Sequence, residues 1–387
     1  MAIEGELHVA LRCRGGRTES VAVRSTRPFV APRLLTGRGM AEACRASATL
    51  FSVCGRSQAI AAAAACEAAS GRTAPITVRT ARQRLVAVEV MQEGFLQALT
   101  EWPRTWGCVE AADDAMRGQA ELRRTLAALA DGLAAALEPG AKSPDATSVG
   151  AMDEAVRRAV APAAVATFGV AAEEWLARCR AAGVDAWLAE SATPTAHALR
   201  AADALGVFGA SELAMLPRAE EAMLAELVQA MDDDPRFERA PLWRGAPAET
   251  GAMARADAAP RAATAGASGK GSAFARCVAR LAELAGLAAG ESTGDCGGMP
   301  VDAREGVGWV ETARGLLVHR VRVDESGRIE SYRIVAPTEW NFHPDGALAR
   351  GLDGAAFADA GAAERGVGWL LQSLDPCVGA RVEVAYA

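Results

Sequence analysis

The sequence predicts a helix-dominated α+β fold whose strands gather at the two ends of the chain. Three observations lead there. Apolar and polar residues alternate with a period of two near both ends, helical patterning fills the middle, and no internal repeat divides the 387 residues. A chain of this length suffices for one large domain or two ordinary ones, and it can bury a sizeable core without crosslinks.

The elements follow in order. Leu7, Val9, Leu11 and Cys13 alternate with polar or small residues, Gly15 and Gly16 supply a turn, and Val21 and Val23 resume the period, which reads as a hairpin. Residues 58–69 are nearly all alanine and predict a helix that Gly71 stops. A second helical pattern over 82–102 meets Pro103. Several packed helices are expected over 111–232, interrupted near Pro139 and Gly140, Gly183 and Pro194. Residues 256–273 are small and featureless and read as a linker or surface loop. A helix over 274–287 and a glycine-rich turn over 294–298 come next. Leu317, His319, Val321 and Val323 then form one strand, residues 324–327 a turn, and 328–335 the partner strand.

Composition excludes several classes. Lys plus Arg at 41 against Asp plus Glu at 48 gives a net charge of −7, the wrong sign for a nucleic-acid binder. No run approaches the roughly 18 to 20 apolar residues of a membrane span. The opening residues carry acids where a signal peptide would carry bases, so a cytoplasmic location with reduced thiols is expected. The nine cysteines are odd in number and irregularly spaced, and none forms C-x-x-C, which argues against a disulfide framework or zinc knuckle.

Three stretches carry chemistry. In LFSVCGRSQ (50–58), Cys54 sits just before a helix N-terminus, whose dipole favours the thiolate that binds metals; the plain alternative is a small buried apolar residue. In LDPCVGA (374–380), Pro376 fixes the backbone before Cys377 and Gly379 permits close approach, though a C-terminal cysteine can be incidental. In the segment 306–344, Arg314 lies where one hairpin begins and Thr338 where it ends. They form either an anion-recognition pair or a surface arginine and a turn threonine.

Taken in order, these stretches resemble the large subunit of nickel–iron hydrogenases. Gly5 and its neighbours resemble that family's opening E-G-H, and the segment ending at Glu67 resembles its first metal motif, R-x-C-G-x-C-x-x-x-H. The run from Glu249 to Arg255 is similar to a stretch from its middle. The hairpin resembles the E-A-P-R-G and V-P-T-T-W-N blocks, and residues 375–377 resemble D-P-C-x-x-C-x-x-H. The departures matter most. Phe51 and Gln58 take the places of a cysteine and the histidine in the first motif, and Ala380 and Glu383 do so in the second. Cys54 keeps a bridging position and Cys377 a nickel-only position. With two of four thiolates gone, a soft divalent ion such as nickel lacks its coordination set, and hydrogen chemistry is not expected.

What survives resembles the cyanide-binding pocket, and with 336–344 and 101–103 it is similar to the maturation family called HupK or HoxV. That resemblance implies a large-subunit-like helix bundle with small peripheral β-sheets, spanning 1–387 as a single domain. Its parts would be an N-terminal hairpin and first metal-motif helix (1–110), a helical middle (111–245), a loop and helix (246–300), and a hairpin with the C-terminal motif (301–387). It implies a non-catalytic scaffold that holds an Fe(CN)2(CO) fragment, without nickel, before transfer to the hydrogenase large subunit. Cys54 and Cys377 would be the metal ligands, Arg314 and Thr338 the cyanide donors, and Gln58 either a hydrogen-bonding neighbour or a packing residue. Implied partners are a HypC-type small chaperone, iron-loading maturation proteins and the large-subunit precursor. Because the chain ends four residues past Glu383, no proteolytic processing is expected.

The alternative is a metal-free chaperone or interaction protein for the same partners. A different enzymatic activity lacks support, since no nucleophile–base motif or phosphate-cradling loop is present. Glu305, Glu311 and Glu339 lie near the proposed pocket and read as solvated or helix-capping carboxylates, with a proton relay as the other possibility. Trp309, Trp340 and Trp369 read as core, and His343 as a turn histidine rather than a ligand.

Overall fold

The computed structural model describes residues 5–106, 109–144, 146–206, 208–256 and 271–387. Strands β1 (Glu6–Arg14) and β2 (Arg17–Ser25) form the expected hairpin, and Leu7, Val9, Leu11 and Cys13 are all buried on one face. The other neighbour of β1 is the last strand of the chain, so the sheet order is β2, β1, then residues Gly379–Tyr386, which pair in parallel with β1 from Glu6↔Gly379 to Cys13↔Tyr386. That pairing joins the two ends of the polypeptide and carries Cys377 to the N-terminal half.

Helix α1 (Met40–Leu50) leads through a short 3-10 turn into α2 (Gly55–Ala69), the alanine helix. It ends as expected, with Gly71 at φ +65°. Almost the whole of α2 is buried, because small side chains let other backbones approach it from every side. Helix α3 (Ile76–Leu96) does not stop at Pro103. It passes through a π-helical turn (Gln97–Glu101) into a last short helix (Trp102–Thr105), where the proline sits in the first turn and its missing N–H costs nothing.

The middle is helical, as the pattern predicts: α4 (Val109–Asp131), α5 (Ala146–Phe168), α6 (Ala172–Glu190) and α7 (Pro194–Asp203). The interruptions fall where expected. Gly140 has φ +71°, Gly183 kinks α6 at φ +79°, and Pro194 opens α7 behind a Thr193 cap. Helix α8 (Glu221–Asp233) follows, and residues 257–270 of the expected linker lie outside the described residues. Helix α9 (Ala273–Ala289) is capped by Ser272 and closed by Gly290.

The second sheet corrects one expectation. The glycine-rich segment 294–298 is not simply a turn: β3 (Asp295–Asp302) begins inside it and pairs with β4 (Glu305–Thr312), which precedes the expected hairpin of β5 (Gly315–Val323) and β6 (Ile329–Val335). The glycines serve close packing rather than turning. A Cβ on Gly308 would lie 2.0 Å from the Ala61 carbonyl oxygen, and one on Gly298 would lie 2.8 Å from that of Ala64. The sheet therefore presses its backbone onto α2. The final helix, α9's partner α10 (Ala360–Leu374), feeds the last strand, β7 (Gly379–Tyr386).

Candidate functional site

Two short connections meet in the structure. Cys54 is the residue before α2, and Cys377 lies between α10 and β7. Both are partly buried. The charge of Cys377 acts on Cys54, and the Arg27 guanidinium contacts the Cys377 sulfur.

Around Cys54 the helix dipole is not the main influence on the thiol. The helix N-terminus is already capped by a carboxylate: Glu89 accepts from the backbone N–H groups of Arg56 (3.0 Å) and Ser57 (3.3 Å) and from the Ser57 hydroxyl. Burial first, then Glu89 and Cys377, push the Cys54 thiol up to about 12. Burial thus favours the protonated form of the Cys54 thiol.

Gln58 is a hydrogen-bonding neighbour as well as a packed one. Its Nε2 donates to Cys54 Sγ at 3.5 Å, and its Oε1 lies 2.9 Å from His319 Nε2. Because that oxygen can only accept, His319 carries its proton on Nε2, and Nδ1 accepts from the Tyr332 hydroxyl at 2.7 Å. Burial holds the His319 imidazole down to about 3, hence neutral. The chain Tyr332, His319, Gln58, Cys54 fixes which end of the amide faces the thiol.

Around Cys377 three residues converge. The Thr338 hydroxyl lies 3.0 Å from Sγ, and Arg27 Nη1 donates to it at 3.4 Å. Arg314 is buried, not a surface residue, and its Nη2 donates to Glu93 (2.8 Å) and to Asp375 Oδ1 (3.4 Å). Asp375, two residues before Cys377, also accepts from Gln97 in the π-turn at 2.9 Å and adopts φ +56°. Among the described residues Arg314 Nε is buried with no hydrogen-bond partner.

Interlocking hydrogen bonds hold these groups. Asn341 donates to the Arg314 carbonyl oxygen (3.1 Å) and accepts from the Thr250 N–H (3.0 Å), while the Thr250 hydroxyl accepts from Leu316 N–H (2.9 Å). Gly315, at φ +125°, has room for nothing larger, because a Cβ would lie 2.4 Å from Thr250. The three sequence blocks around 250, 314 and 341 are therefore one structural unit.

The remaining candidates divide. Phe51 lies under the Arg27 guanidinium at 5.0 Å, whereas Ala380 is exposed and Glu383 is exposed and paired only with Arg381. Glu305, Glu311 and Glu339 are buried rather than solvated, and they do not cap helices. Glu305 bonds Arg320 (2.6 Å), Glu311 bonds Arg255 (2.8 Å), and Glu339 Oε1 lies 3.8 Å from Arg27 Nη1 with burial pushing its carboxyl up to about 7. Trp340 and Trp369 are fully buried core residues, the latter edge-on to Trp102 and Trp106, and Trp309 covers Gly297. His343 accepts from the Asp345 N–H in a turn. Among the described residues, no group of three or more His, Cys, Asp or Glu side chains is gathered as a metal site.

Sequence reasoning missed Arg27, Glu89, Glu93, Asp375 and the His319–Tyr332 pair. For His319 a signal existed: the period-two pattern places it on an apolar face among Leu317, Val321 and Val323. Nothing local marks Arg27.

The fold is that of a nickel–iron hydrogenase large subunit. It matches the Ni-Fe-Se hydrogenase from D. vulgaris Hildenborough with a TM-score of 0.61 at 17% identity over 94% of each chain, and that of Dm. baculatum with 0.59 at 15% over 94% of each. The family model described as nickel-dependent hydrogenase matches residues 291–382. In sequence the chain is 32% identical to the hydrogenase expression/formation protein HoxV of Cupriavidus necator, over 97% of this chain and 95% of that protein. It is 31% identical to HupK, likewise a hydrogenase expression/formation protein, of Azotobacter vinelandii, over 99% of both. The chain belongs to this HoxV/HupK family of hydrogenase expression/formation proteins.

Proposed function

We propose that this protein acts in hydrogenase maturation as a non-catalytic scaffold, holding an Fe(CN)2(CO) fragment between Cys54 and Cys377 before its transfer to the hydrogenase large subunit. The observation that carries the reading is the donor set. Among the described residues two thiols are accompanied by hydrogen-bond donors and no group of three His, Cys, Asp or Glu side chains is gathered there, so a metal held there has to bring the rest of its ligands. An iron that carries cyanides and carbonyl does so, and it supplies anionic nitrogen atoms that accept hydrogen bonds.

The residues fit that cargo. The orphaned Arg314 Nε and the Thr338 hydroxyl are donors for cyanide nitrogen, and a guanidinium suits a charged acceptor. Glu93 and Asp375 hold Arg314 in place, and Gln58 presents N–H toward the Cys54 sulfur. Loading replaces the proton of each thiol. The partners are a HypC-type small chaperone and iron-loading proteins upstream and the large-subunit precursor downstream, in the cytoplasm. Among the described residues no single helix is long and apolar enough to cross a membrane.

Infrared spectra of protein purified anaerobically with the maturation machinery test this. Cyanide and carbonyl bands are expected, and they should vanish in Cys54→Ala. Absence of the bands, with partners still captured by a Cys54→Ala/Cys377→Ala variant, would instead identify a metal-free chaperone.

A further inference from the structure

We propose that Arg27 decides which metals this pocket admits: its guanidinium stands against the Cys377 thiol as a resident cation that repels incoming bare divalent ions. The proposal rests on the reading of the pocket as a holding site for an iron fragment. Arg27 follows β2, far in sequence from both cysteines, yet its side chain is only 11% exposed. Nη1 donates to Cys377 Sγ at 3.4 Å and lies 3.8 Å from Glu339 Oε1, while the guanidinium sits 5.0 Å from the centre of the Phe51 ring. Phe51 precedes Cys54 by three residues, so the cation spans the gap between the two cysteine-bearing connections. Its backbone is fixed as well. Gly5, at φ +75°, packs so tightly that a Cβ there would lie 2.5 Å from Arg27 Cα. An arginine stays charged under all ordinary conditions.

Charge arithmetic shows what such a residue selects. A bare divalent ion is repelled by the guanidinium on approach, and because the centre it forms with two thiolates is neutral, no attraction to Arg27 offsets that barrier. Fe(II) with two cyanides and one carbonyl is neutral before binding and carries two negative charges once both thiolates are attached. Arg27 and Arg314 then face an anion. The same guanidinium thus disfavours nickel, cobalt or zinc ions and favours a metal that arrives with anionic ligands. In either case binding releases the two thiol protons.

Anaerobic rapid mixing of the full-length reduced protein with Co(II), read by the growth of thiolate-to-cobalt charge-transfer absorbance, tests the assignment. The native protein should slowly form a band that depends on Cys377. Arg27→Met should form it about tenfold faster or more, and adding Cys377→Ser should abolish it. Arg27→Lys, which keeps the charge, should behave as the native protein. Equal association rates in the native protein and Arg27→Met, or a slower rate in Arg27→Met, overturn the proposal. If Arg27→Met loses its native circular dichroism, Arg27→Gln carries the same prediction; if both unfold, Arg27 is a structural residue and the proposal fails. Because the probe is cobalt alone, this outcome is independent of the infrared bands that test the scaffold itself.

Discussion

The Cys377 sulfur lies 3.0 Å from the Thr338 hydroxyl, across 39 residues of sequence. The contact joins the C-terminal motif to the end of the β5–β6 hairpin, and Asp375 extends the junction to Arg314. Thiol, hydroxyl and guanidinium thus belong to one unit whose parts cannot shift independently.

Thr338→Val keeps the shape and removes the hydroxyl. We expect it to fold, with a loss of about 1 kcal/mol in denaturant unfolding. In protein loaded with the iron fragment, a cyanide stretching band should shift while the carbonyl band stays in place.

The buried pair of Glu67 and Arg82 closes α2 against α3 with two bonds of 2.7 and 2.9 Å, and Arg82 also donates to the Ala136 carbonyl oxygen at 2.8 Å. Removing one partner leaves the other charge buried. Glu67→Ala should therefore cost roughly 3–5 kcal/mol, measured by denaturant midpoint, whereas breaking the exposed Arg124–Glu121 pair should change stability by less than about 1 kcal/mol.

His319 makes stability depend on pH. Burial depresses its folded value to about 3 from an ordinary 6.5, so the unfolded chain binds the extra proton first. Its contribution is fully present above pH 6.5 and is lost as pH falls toward 3. In that window it adds a slope of up to about 1.4 kcal/mol per pH unit. His319→Gln should be less stable at pH 7 and should lack this part of the acid dependence. Equal slopes for the two proteins would show that His319 is not the group responsible.

Glycine substitutions should have opposite outcomes at two sites. Gly308→Ala drives a Cβ to 2.0 Å from the Ala61 carbonyl oxygen, which only separation of β4 from α2 can relieve, so a large fall in melting temperature or loss of soluble protein is expected. Gly118, on the exposed face of α4, has open space around it. Gly118→Ala should raise stability by roughly 0.5–1 kcal/mol.

By itself the sequence determined the local elements and the class. Alternation marked β1, β2 and the β5–β6 hairpin; the alanine run marked α2; Gly71 marked the end of α2, Gly183 the kink in α6 and Pro194 the start of α7. These are short-range signals, set by backbone conformation and by which face is apolar. The ordered blocks at 5, 54, 250, 314, 338 and 377 pointed to the hydrogenase large-subunit fold. Strands β3 and β4 escaped because their glycines hide the period of two, and β7 escaped although Val382, Val384 and Tyr386 alternate with Arg381, Glu383 and Ala385; the purpose of all three is visible only against α2 or β1. The tertiary structure alone decided that Arg27 reaches Cys377, that Glu89 occupies the helix end beside Cys54, and that His319 orients Gln58. Those contacts cross 350, 33 and 261 residues. Burial and charge at such a point depend on what folds against it, and no local pattern of residue types encodes that.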